Sequence, residues 1–161
     1  MQVFRVFQLV SMFFILVPAV SWAVGSKIPM SDNLNSIGSE ALAAKKPVML
    51  VFAAKDCGYC DRLEEDHLAP MSLSKEYTSR VIIRKVMIDT YDDIRDFNGD
   101  KRSGDDIADK YGVTVTPTVM IFDNEGKRLS KKLIGYNGNE YFGWDLEKLI
   151  SNAESELAQH L

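Results

Sequence analysis

Six consecutive apolar residues, Val48-Met49-Leu50-Val51-Phe52-Ala53, lead through Lys55-Asp56 into two cysteines separated by two residues, Cys57-Gly58-Tyr59-Cys60. A short apolar run bounded by Pro47 and a charged pair predicts a strand buried on both faces. The residues after it predict a helix from Cys60 through Leu68, ended or kinked by Pro70. Backbone N–H groups left unpaired where a helix begins favour negative charge. The thiolate is the attacking species in disulfide exchange. Cys57 falls at that helix start, so it is expected to be partly exposed, with a lowered pKa. Cys60, one turn into the helix and on the same side, is expected to be more buried and able to complete an exchange. Gly58 is expected to permit the tight turn, and Tyr59 to offer an aromatic surface to a partner. Asp56 opposes a neighbouring thiolate, while Lys55 and Arg62 oppose Asp56. A disulfide closing so short a loop constrains the unfolded chain little. The spacing therefore fits redox exchange better than a structural staple.

The chain's first 23 residues differ in character from the remainder. Arg5 is their only charge, Leu9 to Val20 is nearly all apolar, and Ser21-Trp22-Ala23 is a small–x–small pattern. That is the form of a secretory leader, and its apolar run is shorter than the roughly 20 residues of a membrane span. Cleavage is expected after Ala23, followed by a polar linker over 24–35 and one domain over 36–161. Both cysteines lie beyond the cleavage point, so a periplasmic, oxidising location is expected to allow them to pair.

Beyond the linker, Ile37, Ala41, Leu42 and Ala44 predict a helix stopped at Pro47. A second helical piece over 74–80 leads into an apolar strand over 81–89. Strand, helix and strand in this order predict parallel pairing through a right-handed crossover. The acidic stretch 89–104 reads as a loop around a short helix at most. Ser103 to Asp106 resembles a capping box, followed by a helix to Tyr111 and a C-cap at Gly112. Strands are predicted over 119–122 and 129–134 around a turn at Asp123 to Gly126. A long amphipathic helix is predicted from Asn139 to about His160, with Phe142, Leu146, Leu149, Ile150, Ala153 and Leu157 as its apolar stripe.

The chain has 161 residues, 46% hydrophobic and 26% charged, with a net charge of −4. That balance belongs to a globular domain and offers no basic patch for nucleic acid. A zinc site wants four ligands, and beyond Cys57 and Cys60 only His67 and His160 are of the usual soft type. Asp96, Asn98 and Asp100 match the first positions of a calcium loop, but Lys101 and Ile107 stand where its glycine and closing glutamate belong. Asp61 follows Cys60 where covalent haem attachment needs histidine. No metal or organic cofactor is expected.

Cys57-Gly58-Tyr59-Cys60 after an apolar strand, Tyr111-Gly112-Val113 before Thr116-Pro117-Thr118, then Val119 to Phe122 and Gly126, resemble the thioredoxin superfamily over about residues 36–150. The resemblance implies an α/β thioredoxin fold. A central mixed sheet would be flanked by helices, with an N-terminal extension and an acidic loop insertion. It implies Cys57 as nucleophile, Cys60 as resolving cysteine, and Pro117 as a cis-proline. Gly58, Tyr59, Thr116 and Pro117 would then contact substrate. The Gly-Tyr pair and Thr116 are similar to the periplasmic disulfide isomerase. The entry strand and the stretch after Cys60 are more similar to small periplasmic reductases. A reductase would take electrons from a membrane thiol carrier and pass them to protein disulfides. An oxidase or isomerase would act on folding secreted proteins, and a docking module would leave the cysteines redox-silent. Cytoplasmic thioredoxins carry a buried acid and a tryptophan where this chain has Val51 and Asp56. The proton acceptor for Cys60 must then be water or another carboxylate such as Glu64.

Overall fold

Alternate residues of the central strand serve two separate cores. In the computed structural model, which describes residues 27–138 and 140–159, all six residues of β1 (Val48–Ala53) are buried. Met49 and Val51 pack with Leu63, Leu68, Phe142, Leu146 and Ile150 on one face of the sheet. Val48, Leu50 and Phe52 pack with Leu34, Ile37, Ile107, Met120 and Phe122 on the other. The period-2 alternation of a strand places an unbroken apolar run between two helical layers.

β1 pairs in parallel with β2 (Ile82–Met87) and antiparallel with β5 (Thr118–Phe122), which pairs antiparallel with β6 (Leu133–Ile134). The mixed sheet therefore has the order β2-β1-β5-β6. Helix α1 (Leu34–Ala44) and α5 (Gly104–Tyr111) cover one face. The other is covered by α2 (Gly58–Leu63), α3 (Ala69–Leu73) and α6 (Phe142–Ala158). Between α3 and β2 lies the single turn of α4 (Lys75–Thr78). Arg80 clamps the start of β2 to α6, its guanidinium donating to the carboxylates of Glu147 and Glu154. Among the described residues no helix is long and apolar enough to cross a membrane.

Several local expectations are revised. Pro70 does not end the helix that begins after Cys57. A π-helical turn over Glu64–Leu68 joins α2 to α3, and the Ala69 N–H donates to the Glu64 carbonyl, five residues back. Proline has no N–H and its ring excludes the carbonyl four residues earlier; the wider turn removes both conflicts. The 89–104 stretch holds a hairpin rather than a helix: β3 (Ile94–Arg95) pairs antiparallel with β4 (Lys101–Arg102). Strand pairing after the 123–126 turn is limited to β6 and a bridge between Phe122 and Arg128, because Leu129 turns into the core. α5 does follow the capping box at Ser103 and ends at Gly112, whose φ of 61° is the left-handed cap that glycine adopts without cost. At its other end Gly104 is required by space, since a Cβ there would lie 2.5 Å from the Ile88 carbonyl oxygen.

The described part of the segment read as a linker is docked. Ile28 is buried, the Ser31 N–H donates to the Lys85 carbonyl, and the Lys85 N–H donates to the Pro29 carbonyl. These bonds lay residues 29–31 along the outer edge of β2. Asn33 then caps α1, its side chain accepting from the Ser36 N–H. The expected leader over 1–23, Asn139 and His160 lie outside the described residues.

Asp96 closes the hairpin. Its buried carboxylate accepts from the backbone N–H groups of Asn98 and Asp100 and pairs with Lys110 at 3.2 Å. Burial pushes this carboxyl up, but the Lys110 ammonium and the two N–H donors prevail and hold it below the usual carboxylate range. Its contribution to stability is thus present above the unfolded value of about 3.9 and is lost as pH falls through the lower folded value. Asp96→Ala is expected to cost about 2–3 kcal/mol at pH 7, discounted for the half-exposed lysine. In urea denaturation the gap to the parent protein should narrow below pH 4.

Candidate active site

The end of β1 hands the chain to the helix through Lys55, Asp56 and Cys57. The Lys55 N–H donates to the Asp89 carboxylate at 2.8 Å. Asp56 has a φ of 54°, the left-handed region. Cys57 is the N-cap of α2: its carbonyl accepts from the N–H groups of Cys60 and Asp61, and the Cys60 N–H also points at its Sγ at 3.2 Å. Cys57 and Cys60 are joined by a disulfide. Cys57 is half-buried, whereas Cys60 is only 7% exposed. The helix therefore presents one sulfur to solvent and keeps the other inside, in the arrangement the spacing predicts.

Thr116 approaches from across the sheet. Its hydroxyl donates to Cys57 Sγ at 3.5 Å. The Thr116–Pro117 peptide is cis, the Pro117 carbonyl accepts from the Gly135 N–H, and the Thr118 hydroxyl donates to the Val115 carbonyl. An open pocket beside the disulfide is lined by Lys55, Asp56, Cys57, Tyr59, Arg62 and Thr116, together with Ala54 and Gly58. Pro117 is buried and does not line it. Tyr59 and Val115 are exposed. A Cβ on Gly58 would meet nothing within 4 Å, so the turn does not depend on that glycine. The strained position is Asp56 instead.

One helical turn beyond Cys60 lies a buried charge pair. Val51 stands in register with Lys85, whose ammonium contacts the Glu64 carboxylate at 2.5 Å. The other Glu64 oxygen accepts from the Ile28 N–H at 2.6 Å. Glu64 is 5% exposed and four residues beyond Cys60, so the two side chains share one face of the helix. His67 takes no part in this. It packs against the rings of Tyr136 and Phe142, while the Tyr136 hydroxyl donates to Asp66 at 2.6 Å. Burial and the Asp66 carboxylate push the Tyr136 phenol up. Among the described residues no three His, Cys, Asp or Glu side chains are grouped to hold a metal ion.

A thiol at Cys57 can therefore be reached from outside, is faced by the Cys60 N–H at the helix start and by the Thr116 hydroxyl, and has a second sulfur within bonding distance. This is the equipment for accepting and resolving a mixed disulfide.

Comparison with known proteins agrees with this geometry. Among solved structures, mitochondrial thioredoxin 3 of Saccharomyces cerevisiae is 25% identical, with a TM-score of 0.50 over 78% of this chain and 94% of its own. A poplar thioredoxin h is 22% identical, with a TM-score of 0.52 over 78% of this chain and 95% of its own. Fasciola hepatica thioredoxin is 20% identical, with a TM-score of 0.50 over 78% of this chain and 99% of its own. At these identities the likeness is one of fold. No curated protein sequence matches the chain. The family model for the thioredoxin-like domain matches residues 34–150. The chain belongs to the thioredoxin-like family, and its Cys57–Cys60 pair makes it a thiol–disulfide oxidoreductase.

Proposed function

We propose that the protein is exported and works as a reductase of protein disulfides, with Cys57 as nucleophile and Cys60 as resolving cysteine. The observation that carries the reading is the contrast between a half-buried Cys57 at a helix start and a buried Cys60 bonded to it. In the reduced protein, the Cys57 thiolate attacks one sulfur of a substrate disulfide. A Cys57–substrate bond forms, the substrate bond breaks, and one substrate thiolate leaves. Cys60 then gives up its proton, and its sulfur attacks that of Cys57. The Cys57–Cys60 bond forms and the second substrate thiolate leaves. Two thiols have been oxidised and one disulfide reduced. A dithiol donor, for which a membrane thiol carrier is the candidate, reverses the process and restores the protein.

The Thr116 hydroxyl and the Cys60 N–H are positioned to stabilise negative charge on Cys57 as it attacks and when it leaves. Tyr59, exposed and lining the pocket at Cys57, gives a polypeptide substrate apolar contact, and the exposed Val115 immediately precedes Thr116. Gly58, where a Cβ would meet nothing within 4 Å, leaves open space next to Cys57. Pro117 acts by shaping the Thr116 turn rather than by touching substrate. Glu64 is the candidate acceptor for the Cys60 proton. The leader-like form of residues 1–23 supports export to the periplasm.

Equilibration with glutathione tests the direction. A reduction potential near the thioredoxin value of about −270 mV is expected; one near −120 mV, typical of strong oxidants, would reverse the assignment. In the reduced protein, iodoacetamide at pH 6–7 should modify Cys57 quickly and Cys60 slowly. Equal, slow modification of both would instead favour a docking module with redox-silent cysteines.

A further inference from the structure

We propose that Asp56 is a positioning residue for the exchange. Its carboxylate, held beside Cys57 by a left-handed backbone, disfavours the Cys57 thiolate and so biases the pair toward its disulfide form, making the protein an electron donor. This rests on the reading of Cys57 as the nucleophile.

Three observations carry it. Asp56 and Lys45 are the non-glycine residues with positive φ among those described, and only Asp56 adjoins the cysteines. Aspartate tolerates that region better than most side chains, yet glycine would fill it without strain. Strain of this kind gathers at functional sites. Second, the chain is pinned on both sides, by the Lys55 N–H on Asp89 and by the cap at Cys57. The Asp56 side chain is thereby delivered to the pocket that also opens onto Cys57. Third, the carboxylate is exposed and has no hydrogen bond or ion pair among the described residues. It serves no visible structural purpose.

The neighbouring charges set the size of the effect. Lys55 precedes Asp56, Asp89 lies against the Lys55 backbone, and Asp61 and Arg62 follow on α2. Glu64 and Lys85 form a closed pair in the interior. The 113–118 turn carries no ionisable side chain. Lys55 and Arg62 line the pocket with Asp56 and Cys57, so removing the Asp56 charge leaves the charged part of that lining wholly cationic. A thiolate stabilised in that way makes the dithiol form more favourable and the disulfide more oxidising.

The test compares the parent protein with Asp56→Asn, Asp56→Gly and Asp56→Glu. Each is equilibrated with reduced and oxidised glutathione: two protein thiols and one glutathione disulfide yield one protein disulfide and two glutathione thiols. Asp56→Asn should move that equilibrium about two- to fivefold toward the protein dithiol, as expected for one exposed charge several ångströms away. The pH profile of Cys57 alkylation, read on pre-reduced protein, should move to lower pH by a matching amount, and 1 M salt should shrink the difference. Asp56→Gly should follow Asp56→Asn, and Asp56→Glu should stay near the parent. Unchanged Asp56→Asn values, an opposite shift, or a shift seen in Asp56→Gly alone would each overturn the proposal. The alkylation profile decides it even if glutathione does not exchange with the parent protein, an outcome that would count against the reductase reading.

Discussion

Cys60→Ser is expected to convert the protein from a catalyst into a trap. Turnover of a disulfide-bonded protein substrate should fall by roughly 10³-fold or more, because the step that releases the second substrate thiolate has lost its nucleophile. Covalent species between Cys57 and its partners should accumulate and disappear on adding dithiothreitol. Cys57→Ser should show an equal loss of turnover and no trapped species, since the remaining sulfur at Cys60 is only 7% exposed. The asymmetry is the informative result. If both variants trapped partners equally, or neither did, the division of labour between an outer and an inner cysteine would be wrong. Non-reducing gels of the purified variants mixed with a disulfide-bonded protein read it directly, and mass spectrometry of the adduct assigns the cysteine. The fold should tolerate both changes, because an engaged disulfide across two residues adds little to stability.

How much of this site was legible in the sequence depends on how local each feature is. The strand, the turn and the two cysteines occupy thirteen consecutive positions, 48–60, and their order alone places Cys57 at a helix start. The capping box at Ser103 and the left-handed Gly112 are equally local and were readable for the same reason. Thr116 is not local. It reaches Cys57 only because β5 lies antiparallel beside β1, with Thr118 paired to Phe52. Resemblance to a known family, rather than residue chemistry, brought it into the candidate set. The features that escaped were those in which a polar sequence hides a structural role. The 89–104 stretch is acidic and rich in turn residues, so the burial of Ile94, Asp96 and Phe97 that makes it a hairpin left no periodic trace. Residues 27–31, Lys27-Ile28-Pro29-Met30-Ser31, are short and interrupted by proline, and only the edge of β2 tells them where to lie. The left-handed backbone at Asp56 could not be read either, because aspartate is at home in most turns. Pro70 signals an end or a kink, and the sequence does not choose between them: the chain answers with a wider turn a few residues earlier and continues.

The Glu64–Lys85 pair unites the non-local features and should respond most to mutation. Glu64→Ala leaves the Lys85 ammonium, only 13% exposed, without its counter-charge and the Ile28 N–H without an acceptor. Breaking a buried pair in this way is expected to cost about 3–5 kcal/mol, or roughly 10 °C in melting temperature. That cost alone would say nothing of catalysis, so the decisive comparison uses Glu64→Gln in a Lys85→Met background. Glutamine retains an oxygen for the Ile28 N–H, and methionine removes the stranded charge, so most of the stability should return. If Glu64 accepts the Cys60 proton, resolution of the mixed disulfide in that double variant remains slowed at pH 7, by tenfold or more. Lys85→Met alone, which keeps the carboxylate, should resolve it faster than the double variant. The deficit should close as pH rises past the ordinary thiol range near 8.5, where Cys60 ionises without help. A stable double variant that resolves at the parental rate across pH would instead make Glu64 a clasp for the N-terminal segment, with water taking the proton. Placement is the ground for the acceptor role: Glu64 lies one turn beyond Cys60 on the same buried face, and the other buried carboxylate among the described residues, Asp96, is held in the β3–β4 hairpin.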